Sequence, residues 1–160
     1  MRSLAEQSSV SVPTVYALVG GRDDVIAALM DTAVHRFDTG VTTLTSRGLF
    51  RAIAIVELFA DILDHERDLL RALLASGALV AAGSEPPLLF HRRQVELERA
   101  FREAVEDGEL RADVDPVFAA TTAVRLGMGV IFDWVVQSGD PTDLRTELLR
   151  STSVLIAAFA

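Results

Sequence analysis

Cysteine is absent from the 160-residue chain, which excludes disulfides, thiolate nucleophiles and thiolate zinc sites. Lysine is absent as well: all fifteen basic residues are arginine, which reads as a coding bias and not as a functional signal. No basic-plus-apolar leader opens the chain. The longest uncharged apolar stretch, Ala72–Ser84, is shorter than a bilayer span and contains two glycines. The expectation is a soluble, cytoplasmic protein with no membrane partner. There is no nucleophile elbow, no phosphate-binding loop and no pair of closely spaced histidines. No catalytic residue, cofactor or metal is therefore expected, and an enzyme is the least favoured class.

Half of the residues are apolar, enough for a real core in one or two small units. The formal charge of −8 is unevenly spread. Up to Arg47, four arginines face five acids, so that part carries −1 and the remainder −7. Apolar residues recur at helical spacing throughout, no convincing alternation of strand type occurs, and the predicted fold class is all-α. Helices are predicted over Arg22–Phe37, Leu49–His65, Arg67–Ala82, Leu88–Asp107, Pro116–Gln137 and Thr142–Phe159. Gly40 to Gly48, Gly83–Pro87 and Ser138–Pro141 read as loops.

The most informative segment is Leu4–Val19, LAEQSSVSVPTVYALV. It reads as two very short helices with a polar turn between them. Leu4, Ala5 and Val10 form a one-turn apolar face that Ser8-Ser9 interrupts. Ser11 stands where an N-cap belongs, and Pro13 falls in the first turn, where no intrahelical donor is lost. Val12, Val15 and Leu18/Val19 repeat inward, leaving Pro13, Thr14, Tyr16 and Ala17 on the other sides. Gly20-Gly21 ends the helix. A helix this short needs neighbours to hold it, the usual situation of a recognition helix offered to a major groove. A helical hairpin within a bundle is the competing reading. The thin apolar face and the small, polar and aromatic exposed side favour the helix-turn-helix.

The run SLAEQSSVSVPTVYALVGGRDDVIAALMDTAVHRF resembles the second to fourth helices of the TetR (tetracycline-repressor-type) family of transcriptional regulators. Leu4-Ala5, Val10-Ser11, Thr14-Val15-Tyr16, Gly20 and Asp23-Asp24 fall on that family's pattern. Arg22 stands in place of a lysine, Val25 of a leucine and Gly21 of a serine. Leu18-Val19 replaces a His/Asn-Phe pair, which removes one frequent polar phosphate contact. Further along, Gly108-Glu109-Leu110-Arg111-Ala112-Asp113-Val114-Asp115-Pro116 resembles the G-x-L-R-x-D-x-D-P connection before the family's last two helices. The resemblance implies residues 1–38 as a helix-turn-helix unit with its connecting helix, and 39–160 as an effector-binding and dimerisation body. It also implies a helix bracing the motif from before Leu4; none precedes it here, so the chain is read as the remainder of a longer one or as starting at an internal methionine.

From the resemblance, Ser11, Pro13, Thr14, Tyr16, Ala17 and Arg22 are the DNA-binding candidates. Double-stranded DNA carrying a near-palindromic operator is the expected partner of the full-length protein. A small-molecule effector is expected among the central helices, with Phe59, Leu63, Leu70, Leu74, Phe90, Phe101, Thr121, Arg125, Met128 and Phe132 as candidate walls. Periodicity does not separate a wall from ordinary core. Arg125, within an apolar helix, needs either an acid across a dimer or an anionic effector group. His91-Arg92-Arg93 reads as a solvated basic patch at a helix start. Asp61, Asp64, His65 and Asp68 share one helix face, better explained as a solvated face than as a metal site.

The last two helices are apolar nearly all round. A homodimer in which two hairpins form a four-helix bundle would cover the outer face. Val117, Val124, Gly127, Ile131, Val135, Leu148, Leu155 and Phe159 are the interface candidates; a wholly intrachain core is the competing arrangement. The function expected is a ligand-responsive DNA-binding regulator, a repressor released by its effector. The alternative is a helical small-molecule-binding or dimerisation module without DNA activity.

Overall fold

Capping side chains and glycines set several of the helix ends. The computed structural model describes residues 6–65, 67, 88–136 and 144–160. These form an all-α fold, with no strand among them. Helix α1 (Val12–Val19) begins at Ser11, whose hydroxyl accepts from the Thr14 amide at 3.3 Å. It ends at Gly20, where φ is +78° and the amide donates to the Tyr16 carbonyl at 3.1 Å. Gly20 is suited to this left-handed turn because it has no Cβ to clash. The Asp24 carboxylate accepts the Gly21 amide at 2.7 Å and so caps the next helix, α2 (Arg22–Thr42).

Helix α2 runs one turn beyond the Phe37 end expected from the sequence. Gly40 does not break it. A Cβ there would lie 2.6 Å from a Leu58 methyl, so the glycine lets α2 approach helix α3 (Gly48–His65) closely. Val41, on the extra turn, is buried, and its burial outweighs the weak helix preference of the Thr/Gly run. The Thr42 and Thr43 hydroxyls donate to the carbonyls of Thr39 and Gly40, each at 2.7 Å. The first turn of α3 is capped from outside: Glu103 accepts the Gly48 amide at 3.3 Å and Glu109 the Leu49 amide at 2.7 Å.

The remaining helices are α4 (Leu88–Glu106), α5 (Pro116–Val136) and α6 (Leu144–Phe159). The expected helix Arg67–Ala82 and the break Gly83–Pro87 lie outside the described residues, apart from Arg67, and Leu4 and Ala5 lie outside them too. The G-x-L-R-x-D-x-D-P segment joins α4 to α5, and its residues have separate jobs. Gly108 takes the left-handed conformation (φ +74°) that closes α4. Leu110 and Val114 are buried. The Arg111 amide donates to the Phe159 carbonyl and its guanidinium to the Ala158 carbonyl, both at 3.1 Å, tying down the end of α6. Asp115 accepts the Val117 amide at 2.9 Å as the N-cap of α5, and Pro116 follows at the first helical position.

Helix α3 packs on α2, α4 and α6, while α5 packs on α4 and α6. Each contributes a stripe to one core, in which Phe37, Ile55, Phe59, Phe90, Leu97 and Phe101 are fully buried. Phe37, Phe59 and Phe90 meet edge to face, with centroids 6.2 and 5.4 Å apart in sequence. The second half of α2 enters this core through Ala33, Val34, Phe37 and Val41. Helix α1 adds nothing to it among the side chains described.

Candidate functional site

Two regions carry the residues singled out in the sequence. The first is α1. Ser11, Pro13, Thr14, Tyr16 and Ala17 are all exposed, Tyr16 by half of its surface. The Ser11 and Thr14 hydroxyls lie 2.7 Å apart and so order each other. The Arg22 side chain, like those of Val12, Val15 and Val19, lies outside what the structure describes. Leu18, expected to point inward beside Val19, is instead 74% exposed. The helical repeat offered either Leu18 or Val19 to the inner face, and the spacing alone does not choose between adjacent positions.

The second region is the centre of the body. Of the expected effector walls, Phe59, Leu63, Phe90 and Phe101 are fully buried. Thr121 and Met128 are half-buried, and Thr121 receives a hydrogen bond from Gln94 at 3.2 Å. Leu70 and Leu74 lie outside the described residues. Arg125 and Phe132 correct the expectation: both sit on the outer face of α5, Phe132 by 53% of its surface. The helix turns Val124, Gly127 and Ile131 inward, and Arg125 and Phe132, one position on from Val124 and Ile131, fall past the edge of that buried stripe. Exposed on this face, the Arg125 guanidinium needs no partner within its own chain, and an acid across a dimer stays the role expected of it.

The arginine that does enter the core is Arg93, read from sequence as part of a solvated patch with His91 and Arg92. Its neighbours in the patch are exposed, but Arg93 is completely buried. It falls on the inward stripe of α4, between Leu89/Phe90 and Leu97, one turn from each. That spacing was the available signal, masked by the charge. Its guanidinium stacks on Phe59 at 4.4 Å from the ring centroid. On another side lies Gly127 of α5: a Cβ added there would stand 2.8 and 3.0 Å from the two terminal nitrogens and 3.3 Å from a Leu148 methyl of α6. Nε and both terminal nitrogens are buried, and none has a hydrogen-bond partner among the described residues. Burial alone lowers its pKa to about 10, so it remains a cation at neutral pH.

Arg51 of α3 shows the usual solution. It is also buried, but it donates to the Leu44 carbonyl at 3.2 Å and pairs with Glu96 at 3.0 Å. Near the end of α3, Arg67 stacks on Trp134 at 4.4 Å, and its buried Nε has no hydrogen-bond partner among the described residues.

Of the eight expected interface residues, Val124, Gly127, Ile131, Val135, Leu148 and Leu155 belong to the chain's own core. Val117 is 46% exposed and Phe159 is half-buried against Phe118. The exposed apolar stripe of α5 is instead Phe118, Leu126, Phe132 and Val136, with Val154 on α6. An all-round apolar helix offers two candidate faces, and periodicity cannot choose between them. Helix α5 is long and apolar enough by composition to cross a membrane, but its inner stripe packs in the core.

Asp61 lies 3.6 Å from Arg145, which also pairs with Glu57 at 2.8 Å, and His65 Nδ1 sits 2.8 Å from the Asp61 carbonyl. With Arg36 and Ile62, Asp61 and His65 border an open groove of about 300 Å³. Among the described residues no group of acids and histidines could hold a metal; Asp68 lies outside them. Neither family models, nor curated proteins, nor solved structures give any match to the chain.

Proposed function

We propose that the chain is a TetR-type transcriptional regulator, which binds operator DNA as a homodimer and releases it when an effector enters the body. The observation that carries the reading is the contrast between the two ends of α2. Its second half is anchored in the core through Phe37, while its first half leads out to a short helix whose Pro13, Thr14, Tyr16 and Ala17 face solvent. A short helix at the end of a long one suits a head that reads a groove and moves with the body. In a twofold dimer the two heads enter successive major grooves about 34–36 Å apart. Thr14 and Tyr16 contact phosphate or bases, Arg22 a phosphate, and Pro13 and Ala17 base methyls. An effector that binds one α2 orientation better than the other shifts the spacing of the heads.

The test is footprinting of the full-length protein upstream of its own and adjacent genes, expecting protection of a near-palindromic site. Tyr16→Ala should weaken that binding by about tenfold, equivalent to ~1.4 kcal/mol, with unchanged helicity. Absence of any protected site in those regions refutes the DNA-binding reading.

A second reading, a helical small-molecule-binding module without DNA activity, is favoured by one observation, the unpaired buried charge of Arg93. A ligand response without a footprint would select it.

A further inference from the structure

We infer that Arg93 is the recognition group of an effector site for small apolar carboxylates, which bind among α3, α4, α5 and α6. The inference rests on reading the body as the effector-binding unit, and it specifies the effector's chemistry. Four observations support it.

The first is the missing counter-charge. A fully buried guanidinium with three unpartnered nitrogens is among the most unfavourable arrangements a core can hold. Stacking on Phe59 offsets only part of the lost hydration. The second is the contrast with Arg51, where the same fold supplies a carboxylate and a carbonyl to a buried arginine. The acid nearest along α4, Glu96, is thus already engaged. The third is Gly127. Both terminal nitrogens pack against this residue beside a Leu148 methyl, so the glycine is what admits the charged fork between α4 and α5 without placing a polar partner on it. The fourth is the wall. Phe59, Phe90 and Leu148 are apolar and fully buried, so they favour a ligand whose remainder is hydrocarbon over a strongly hydrated inorganic anion.

The charge also sets the selectivity. Neutral isosteres offer an amide where the site needs an anion and leave the guanidinium uncompensated. Amines add a like charge. A carboxylate both fills the site and satisfies the buried donors, which is the condition for strong discrimination.

The experiment measures thermal unfolding of the 160-residue protein against acetate, isovalerate, hexanoate, benzoate and phenylacetate, with the matching amides and with sodium chloride at equal ionic strength. Isothermal titration calorimetry then gives affinities. The expected result is a saturable rise in Tm with at least one of the apolar acids and none with its amide. Arg93→Met should abolish that rise while far-UV circular dichroism and the cooperative transition persist. Gly127→Ala, which keeps the arginine but places a methyl against its fork, should weaken the same acid by at least tenfold. The inference is overturned if Arg93→Met responds like the parent, if amides act as well as acids, or if every acid matches sodium chloride. A saturable response to amides that survives Arg93→Met would leave effector binding standing and remove only its anionic character. Operator footprinting without added acid reports separately on DNA binding.

Discussion

Arg93 and Arg51 are both buried arginines, yet the same change should act on them in opposite directions. Arg93 stays charged at neutral pH with its pKa lowered by burial to about 10, a depression that amounts to roughly 3 kcal/mol of native-state instability. Arg93→Met keeps much of the volume and removes the charge. It should raise stability at pH 7 by about 1–3 kcal/mol in urea unfolding. A cation with a lowered folded pKa destabilises fully below that value, and the penalty fades as pH rises through it. The gap between Arg93→Met and the parent should therefore hold up to about pH 10 and narrow only above it, as the pH climbs toward the ordinary arginine value. Arg51→Met should instead cost about 2 kcal/mol, because Glu96, only partly exposed, loses its partner. Stability gained by removing Arg93 and function lost with it would be the trade-off expected of a binding site. Position 93 was legible in the sequence as a member of the Phe90–Leu97 stripe. Its charge argued the other way, since lone arginines seldom occupy an inward stripe. Arg125 is the converse case: its apolar helix suggested burial, but it lies on the outer face with Phe118 and Phe132, where solvent reaches it in the single chain.

At the scale of elements, helix type and approximate extent could be read because apolar spacing persists over many residues. Boundaries depended on contacts that spacing does not contain. Helix α2 passes Gly40 because Leu58 packs against the space left by the missing Cβ, a tertiary contact invisible in the Thr/Gly run. The α4–α5 connection was more legible, since each of its marked residues acts within a few positions or at the neighbouring helix end. Gly108→Ala meets no atom within 4 Å, so its cost is the left-handed backbone alone, about 1 kcal/mol. Asp115→Ala removes the N-cap of α5 and should also cost about 1 kcal/mol. Gly108 and Asp115 have no hydrogen-bond partner in common, so chemical denaturation of the double variant should show near-additive losses. A loss at Gly108 well above the estimate would mean that the turn itself orders α6 through Arg111.

For the whole molecule, the open question is what covers the outer face of the α5–α6 pair. Phe118, Leu126, Phe132 and Val136 of α5 and Val154 of α6 are all about half exposed or more, with the exposed Arg125 and Asp133 among them. Large apolar side chains grouped on one helix face favour a partner surface. The proposed homodimer buries it against its own copy. In an isologous contact one substitution appears on both sides of the twofold axis. Phe132→Glu therefore places two carboxylates in the interface, and because Phe132 projects away from the core it leaves the fold of each chain intact. Light scattering coupled to size exclusion should show the parent as a dimer at micromolar concentration and Phe132→Glu as a monomer, with matching circular dichroism. Ile131→Glu is the informative contrast. The expected interface included Ile131, but the chain buries it, so that variant should unfold instead of dissociating. A parent that is monomeric at these concentrations would remove the dimer from the proposal, and with it the paired heads needed to span a palindromic operator.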